Sequence, residues 1–120
     1  MKCARCNEVE QASVIVQGRT AVPGCIEGIV RVFLRPDDVD GLGDGEILVT
    51  SMTSPECTPA MLRSAAVVTD RGGVLCHAAI VCREYGKPCI VGTGNATELL
   101  RDGMRARICA TRGVVMPVEQ

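Results

Sequence analysis

Aromatic side chains are almost missing from this chain: it has no tryptophan, one phenylalanine and one tyrosine. That removes the stacking platforms on which single-stranded nucleic acid is held. The core must instead be built from Val, Ile, Leu, Ala, Met and Cys. A dominant charge is missing too, because 13 basic residues face 14 acidic ones and neither sign forms a run. With a formal net charge of −1 there is no basic stripe to meet nucleic acid or an anionic membrane. No apolar run approaches the roughly 20 residues needed to cross a bilayer. The start, Met1-Lys2-Cys3-Ala4-Arg5-Cys6-Asn7, lacks the apolar middle of a secretory signal. The expected location is the cytoplasm.

Cysteine is plentiful, with eight in 120 residues, but framework spacing is lacking. Cys76, Cys82, Cys89 and Cys109 sit inside apolar segments. They read as reduced thiols packing as small hydrophobes rather than as disulfides. Cys3 and Cys6 form half of a zinc motif with no second C-x-x-C at finger or ribbon spacing. Residues 1–11 are therefore read as an N-terminal extension, with a metal site shared between subunits as the alternative. Residues 12–120 are read as one domain, long enough for a core and too short for a second.

What is present alternates strand and helix signals. Short strands are expected at Ser13–Gly18, Gly28–Leu34, Glu46–Thr50, Ala65–Thr69, Pro88–Val91, Met104–Ala110 and Gly113–Met116. Thr20–Gly24, ending in Pro-Gly, reads as a turn. Thr58-Pro59 opens a short helix with proline at its first position. Asn95 reads as the cap of a helix reaching Arg101. Asp37, Asp38, Asp40 and Asp44 lie in a glycine-rich stretch. They do not follow the alternate-position acids and final Glu of an EF-hand, so a solvated loop is expected. The order predicts a mostly parallel sheet with helices on one face and the early strands in a second layer.

The chemistry concentrates at Asp70-Arg71-Gly72-Gly73-Val74-Leu75-Cys76-His77-Ala78-Ala79-Ile80-Val81-Cys82-Arg83-Glu84. His77 is the single histidine of the chain, placed at the start of a predicted helix. At about 100° per residue, Ala78, Val81, Cys82 and Tyr85 form a stripe toward the sheet. His77 then falls at the edge of the polar side and Ile80 on the solvent side, as a docking contact. No Ser, Thr, Asp or Asn stands in positions 73–76 to cap the helix, so an anion can satisfy its first N–H groups. Gly72 and Gly73 allow backbone N–H groups to approach that anion, and Arg71 adds a charge-assisted contact. A neutral imidazole here has the geometry of a phosphoryl acceptor. An ordinary surface histidine is the bland alternative. A metal site or a Cys–His nucleophile pair is disfavoured because adjacent residues Cys76 and His77 diverge on a helix.

This string, with Val91-Gly92-Thr93-Gly94-Asn95-Ala96-Thr97 after it, resembles the phosphohistidine swivelling domain, the mobile domain of the phosphoenolpyruvate synthase and pyruvate phosphate dikinase family. The likeness runs from about Thr20 to Val115. It implies an α/β domain of three β/β/α layers, with a mostly parallel central sheet and a smaller antiparallel one. It also implies that His77 carries a phosphoryl group between two active sites. Leu75 departs from the threonine that many members place two residues before the histidine, where a regulatory kinase acts. Leu-Cys-His is closer to relatives acting on other acceptors, such as phenol or rifamycins.

The chain is too short to hold an ATP-grasp unit or a barrel. It is expected to be a component of a phosphotransferase rather than a complete enzyme. It would bind no cofactor itself, and ATP and Mg are implied on partner domains. Its partners would be a nucleotide-binding and an acceptor-binding subunit or domain, with pyruvate, phosphoenolpyruvate or another small acceptor as substrate; nucleic acid and membrane are not expected. The rival reading is a non-catalytic regulatory or assembly module that keeps the fold.

Overall fold

The computed structural model describes residues 14–118; Cys3, Cys6 and the expected 1–11 extension lie outside them. The chain runs β1 (Val16–Gln17), β2 (Arg19–Val22), β3 (Cys25–Phe33), β4 (Ile47–Thr50), α1 (Thr58–Arg63), β5 (Ala66–Thr69), α2 (His77–Tyr85), β6 (Cys89–Val91), α3 (Ala96–Leu99), β7 (Arg105–Cys109) and β8 (Val114–Pro117). These form a mixed α/β fold around an eight-stranded sheet ordered β1-β8-β7-β3-β4-β5-β6-β2.

The sheet is mixed, which departs from the expected mostly parallel sheet and separate second layer. β3–β4, β4–β5 and β5–β6 are parallel, while β1–β8, β8–β7, β7–β3 and β6–β2 are antiparallel. The cause is the length of β3. Its first part, Cys25–Ile29, pairs with β7, and its second part, Val30–Phe33, pairs with β4. One long strand thus welds the two halves together. The ends of the strand order, β1 and β2, are separated in sequence by Gly18 alone, so the sheet curls until its edges approach. Gly18 donates its N–H to the Gly113 carbonyl at 2.8 Å.

β4, β5 and β6 are buried on both faces, which is why they read as continuous apolar runs. Ile47, Val49, Ala66, Val68 and Ile90 face one cluster together with Ala96 and Leu100. Leu48, Val67, Cys89 and Val91 face the other, under Ala60, Met61, Ala78 and Cys82 of α1 and α2. The helices therefore do not all lie on one side, since α3 packs into the first cluster.

Several local expectations shift. Thr20 to Val22 belong to a strand rather than a turn, because they pair with β6 as its outer neighbour. Pro23-Gly24 remains the break. The acidic stretch forms a 3-10 turn, Pro36–Gly41, anchored by buried Val39 and Leu42. α3 stops two residues short of the expected Arg101, and the Asn95 side chain makes no capping bond. Thr93 Oγ1 accepts the Ala96 N–H at 3.2 Å instead. The thiols at 76, 82, 89 and 109 are free, as expected. Cys89 is held well above the ordinary thiol range by its bond with Cys82 and by burial, which keeps it an inert core group.

Candidate functional site

β4 and β5 run parallel and in register to their last residues, with Thr50 opposite Thr69. The segments that follow leave the sheet at one edge and stay zipped. The Asp70 N–H donates to the Thr50 carbonyl at 3.2 Å and the Arg71 N–H to the Ser51 carbonyl at 2.9 Å. A third segment joins after β6: Thr93 N–H meets the Thr69 carbonyl at 3.2 Å and Gly94 N–H the Asp70 carbonyl at 2.8 Å. Three loops thus interlock at the carboxyl ends of the parallel strands, where open α/β sheets gather ligands.

α2 begins at this edge with His77 as its first residue. Cys76 is its extended N-cap and offers no side-chain capping bond, so the helix start has free N–H groups to offer an anion. Its carbonyl opens the helix by accepting the Ile80 N–H at 3.0 Å. The buried arc of α2 is Ala78, Ala79 and Cys82. Ala79 was not in the expected stripe, while Tyr85, which was, is 50% exposed. The small side chains of that arc let α2 sit close to the sheet, and His77 lies on the far side of it. The imidazole is half-buried. Its Nδ1 lies 2.8 Å from the hydroxyl of Thr53, a buried residue. Nε2 has no protein partner among the described residues.

His77, Thr53, Arg71, Gly72, Cys76, Met52 and Ala78 line a cavity of about 140 Å³. A larger open depression of about 360 Å³, lined by Val14, Ile15, Gln17, Thr93 and Asn95, holds none of the residues singled out for phosphate chemistry. Of those residues, the structure brings Arg71, Gly72 and His77 together around the smaller cavity. Gly73 is not among its lining residues; its carbonyl accepts the Cys76 N–H at 3.0 Å, forming the turn into α2.

The glycine at 72 is demanded by the fold. Its φ is +118°, and a Cβ there would meet Cys76 Sγ at 2.7 Å. Gly92, with φ +67°, would place a Cβ 2.9 Å from the Gly72 carbonyl oxygen. The Gly92-Thr93-Gly94 segment is therefore a buttress behind the Gly72 loop. Arg83 reaches back along α2 and donates to the Val74 carbonyl at 2.9 Å. Thr53 escaped the reading of the sequence. The available signal was its place just past β4, whose parallel partner β5 ends just before the histidine loop.

Comparison with known proteins follows the same residues. The family description "PEP-utilising enzyme, mobile domain" matches residues 42–113. The chain belongs to this family. It is 51% identical over 108 residues to a phosphoenolpyruvate synthase of Pyrococcus furiosus, covering 90% of this chain and 13% of that protein. It is 47% identical over 108 residues to a probable phosphoenolpyruvate synthase of Methanothermobacter thermautotrophicus, covering 90% of this chain and 16% of that one. The chain thus spans about a seventh of the length of these relatives. Among solved structures, the fold matches Thermococcus kodakaraensis aconitase X with a TM-score of 0.68 at 21% identity, over 87% of this chain and 98% of that one. At that identity the likeness is one of fold alone. No helix among the described residues is long and apolar enough to cross a membrane.

Proposed function

We propose that this mobile domain is a phosphocarrier in which His77 receives a phosphoryl group from one active site and surrenders it at another. The observation that carries the reading is the fixed imidazole. Nδ1 and Thr53 Oγ1 lie 2.8 Å apart; in the tautomer that donates the Nδ1 proton to Thr53, the lone pair resides on Nε2, which becomes the nucleophile. In the forward step the Nε2 lone pair attacks an electrophilic phosphorus of the ATP-derived donor. The N–P bond forms as a bridging P–O bond of the donor breaks, and its electron pair leaves on the departing oxygen of the remaining nucleotide or phosphate. The Nδ1 proton stays in its bond to Thr53. The new phosphoryl oxygens are met by Arg71, by backbone N–H groups of the Gly72-Gly73 turn and by the uncapped start of α2. Transfer onward reverses the bond changes, with pyruvate or another small acceptor attacking phosphorus and Nε2 leaving with its lone pair restored.

ATP, its Mg²⁺ and the acceptor belong to partner domains in this reading, since the relatives are polypeptides six- to eightfold longer than the matched segment. The parallel half of the sheet, with α1 and α2, is the layer that presents the histidine; the antiparallel half is its support. A cytoplasmic setting goes with this chemistry. Incubating the chain with phosphoramidate tests the core of the proposal without any partner. The expected product is one acid-labile, base-stable adduct on Nε2, absent in His77→Ala. A stable adduct elsewhere, or none on the wild-type chain, rejects it.

A further inference from the structure

The carboxylate nearest in sequence to the histidine loop does not point at the histidine. Asp70 Oδ1 accepts the Thr97 N–H at 3.0 Å, and Oδ2 accepts the Thr97 hydroxyl at 2.5 Å. Both oxygens are thereby engaged by α3. The Asp70 backbone is engaged as fully, with its N–H on the Thr50 carbonyl and its carbonyl on the Gly94 N–H. One residue therefore ties the loop after β5 to the end of β4, to the loop after β6 and to α3. The next two residues continue the lock. Arg71 N–H is bound to the Ser51 carbonyl, and the Gly72 carbonyl is seated against Gly92.

We infer that Asp70 is a positioning residue for phosphoryl transfer at His77, acting through Thr97 to hold the Arg71–Gly72 segment in place beside the Thr53–His77 pair. This inference rests on the phosphocarrier reading and deepens it. The segments carrying Thr53 and Arg71 are joined by the Arg71–Ser51 bond, so slack at Asp70 is transmitted to both walls of the His77 cavity. Pre-set geometry of this kind controls rate steeply, and a displacement of about 1 Å can lower it on the order of a hundredfold. The carboxylate itself lines no part of the His77 cavity and touches no reacting atom.

The test uses the full chain, phosphoramidate as donor, and NMR of the single ¹⁵N-labelled imidazole to follow the adduct. Asp70→Ala is expected to slow Nε2 phosphorylation by about 10- to 100-fold, with faster amide exchange confined to residues 71–76 and 93–97. Asp70→Asn keeps an oxygen for the Thr97 N–H and is expected to recover most of the rate. Thr97→Val removes only the hydroxyl bond and should slow the reaction less than Asp70→Ala. Thr97→Val also serves as the deciding variant should Asp70→Ala fail to fold. Unchanged rates in Asp70→Ala and Thr97→Val, or exchange that rises uniformly across the chain in step with lost global stability, overturn the inference. Absence of any adduct on the wild-type His77 is a different result, and it overturns the phosphocarrier reading beneath it.

Discussion

The hydroxyl of Thr53 meets Nδ1 of His77 at 2.8 Å across a sequence separation of 24 residues. This bond gives the two ring nitrogens different roles: with Nδ1 as its donor, Nε2 is the lone-pair site, which is the tautomer the phosphocarrier proposal requires. Thr53→Val keeps the side-chain shape and deletes the bond. A hydrogen bond of this kind has a net value of about 1 kcal/mol, and more once the ring gains charge. The expected loss in His77 phosphorylation rate is therefore about 5- to 30-fold. Thr53→Ser should retain most of the rate. Imidazole ¹⁵N shifts supply the second reading: one dominant tautomer in the wild type and a mixture in Thr53→Val. A single unchanged tautomer in the valine variant would show that something else orients the ring.

His77→Ala should remove all acid-labile phosphate, because there is no second histidine to label. It also leaves the Thr53 hydroxyl without its imidazole partner, for a cost of about 1 kcal/mol. In a domain of roughly this size that corresponds to a fall in melting temperature of about 4–8 °C. Labelling and a thermal melt on the same sample check both halves. Residual acid-labile label in His77→Ala defeats the assignment, whatever the melt shows.

The parts of this fold that could be read in the chain are those set by neighbours in sequence. The apolar runs at 47–50, 66–69 and 89–91 announce buried strands because both faces are covered. Pro59 marks the start of α1, and the Gly-rich turn before His77 marks the start of α2. The mixed sheet could not be read this way. It follows from β3 pairing with β4 and β7 at once, and β7 lies some seventy residues downstream in the sequence. The capping of α3 shows the same limit. Asn95 has the right residue type at the right place, yet Thr93 and Asp70 take the N–H groups because the fold brings Asp70 in from the neighbouring loop. That Arg71, Gly72 and His77 lie together at one cavity follows from their closeness in sequence and can be read there, whereas Thr53 and the Asp70–Thr97 clamp depend on strand register.

The two glycine segments differ in what they tolerate, and stability measurements can separate them. Gly92→Ala would force a side chain into left-handed backbone at φ +67° and against the Gly72 carbonyl at 2.9 Å. The expected destabilisation is about 1–3 kcal/mol. Gly73 has no positive φ and nothing within 4 Å of its missing Cβ. Gly73→Ala should therefore be neutral or stabilising by up to about 1 kcal/mol, through the lower entropy of the unfolded chain. Urea titrations of both variants decide the matter. If Gly73→Ala folds well but reacts slowly with phosphoramidate, close approach of the phosphoryl group to that backbone is the reason. Equal destabilisation by both substitutions would contradict the loop geometry.

The last prediction concerns the surface around the histidine. Leu75 is 81% exposed, Met52 and Ile80 are 50% exposed, and Val74 is 44% exposed. All four flank the cavity or the first turns of α2 within a few residues of Thr53 or His77. Single exposed apolar residues are ordinary, but a group collected around the proposed phosphoryl acceptor is what a docking face would present. A carrier that must bring Nε2 into a partner's active site needs such a rim, since apolar burial drives the encounter while His77 itself reacts. Ile80→Glu and Leu75→Asp place charges on this rim without touching the buried arc of α2. Thermal melting should shift by no more than about 0.5 kcal/mol in equivalent stability. Transfer from a nucleotide-binding partner should show a raised KM of about tenfold or more, since each charge would have to be desolvated or left unpaired in the contact. The measurement is steady-state phosphorylation of the chain at varied concentration, with ATP and the partner held constant. A KM equal to that of the wild type in both variants would mean that the partner grips the domain elsewhere, and that the apolar rim around His77 is incidental.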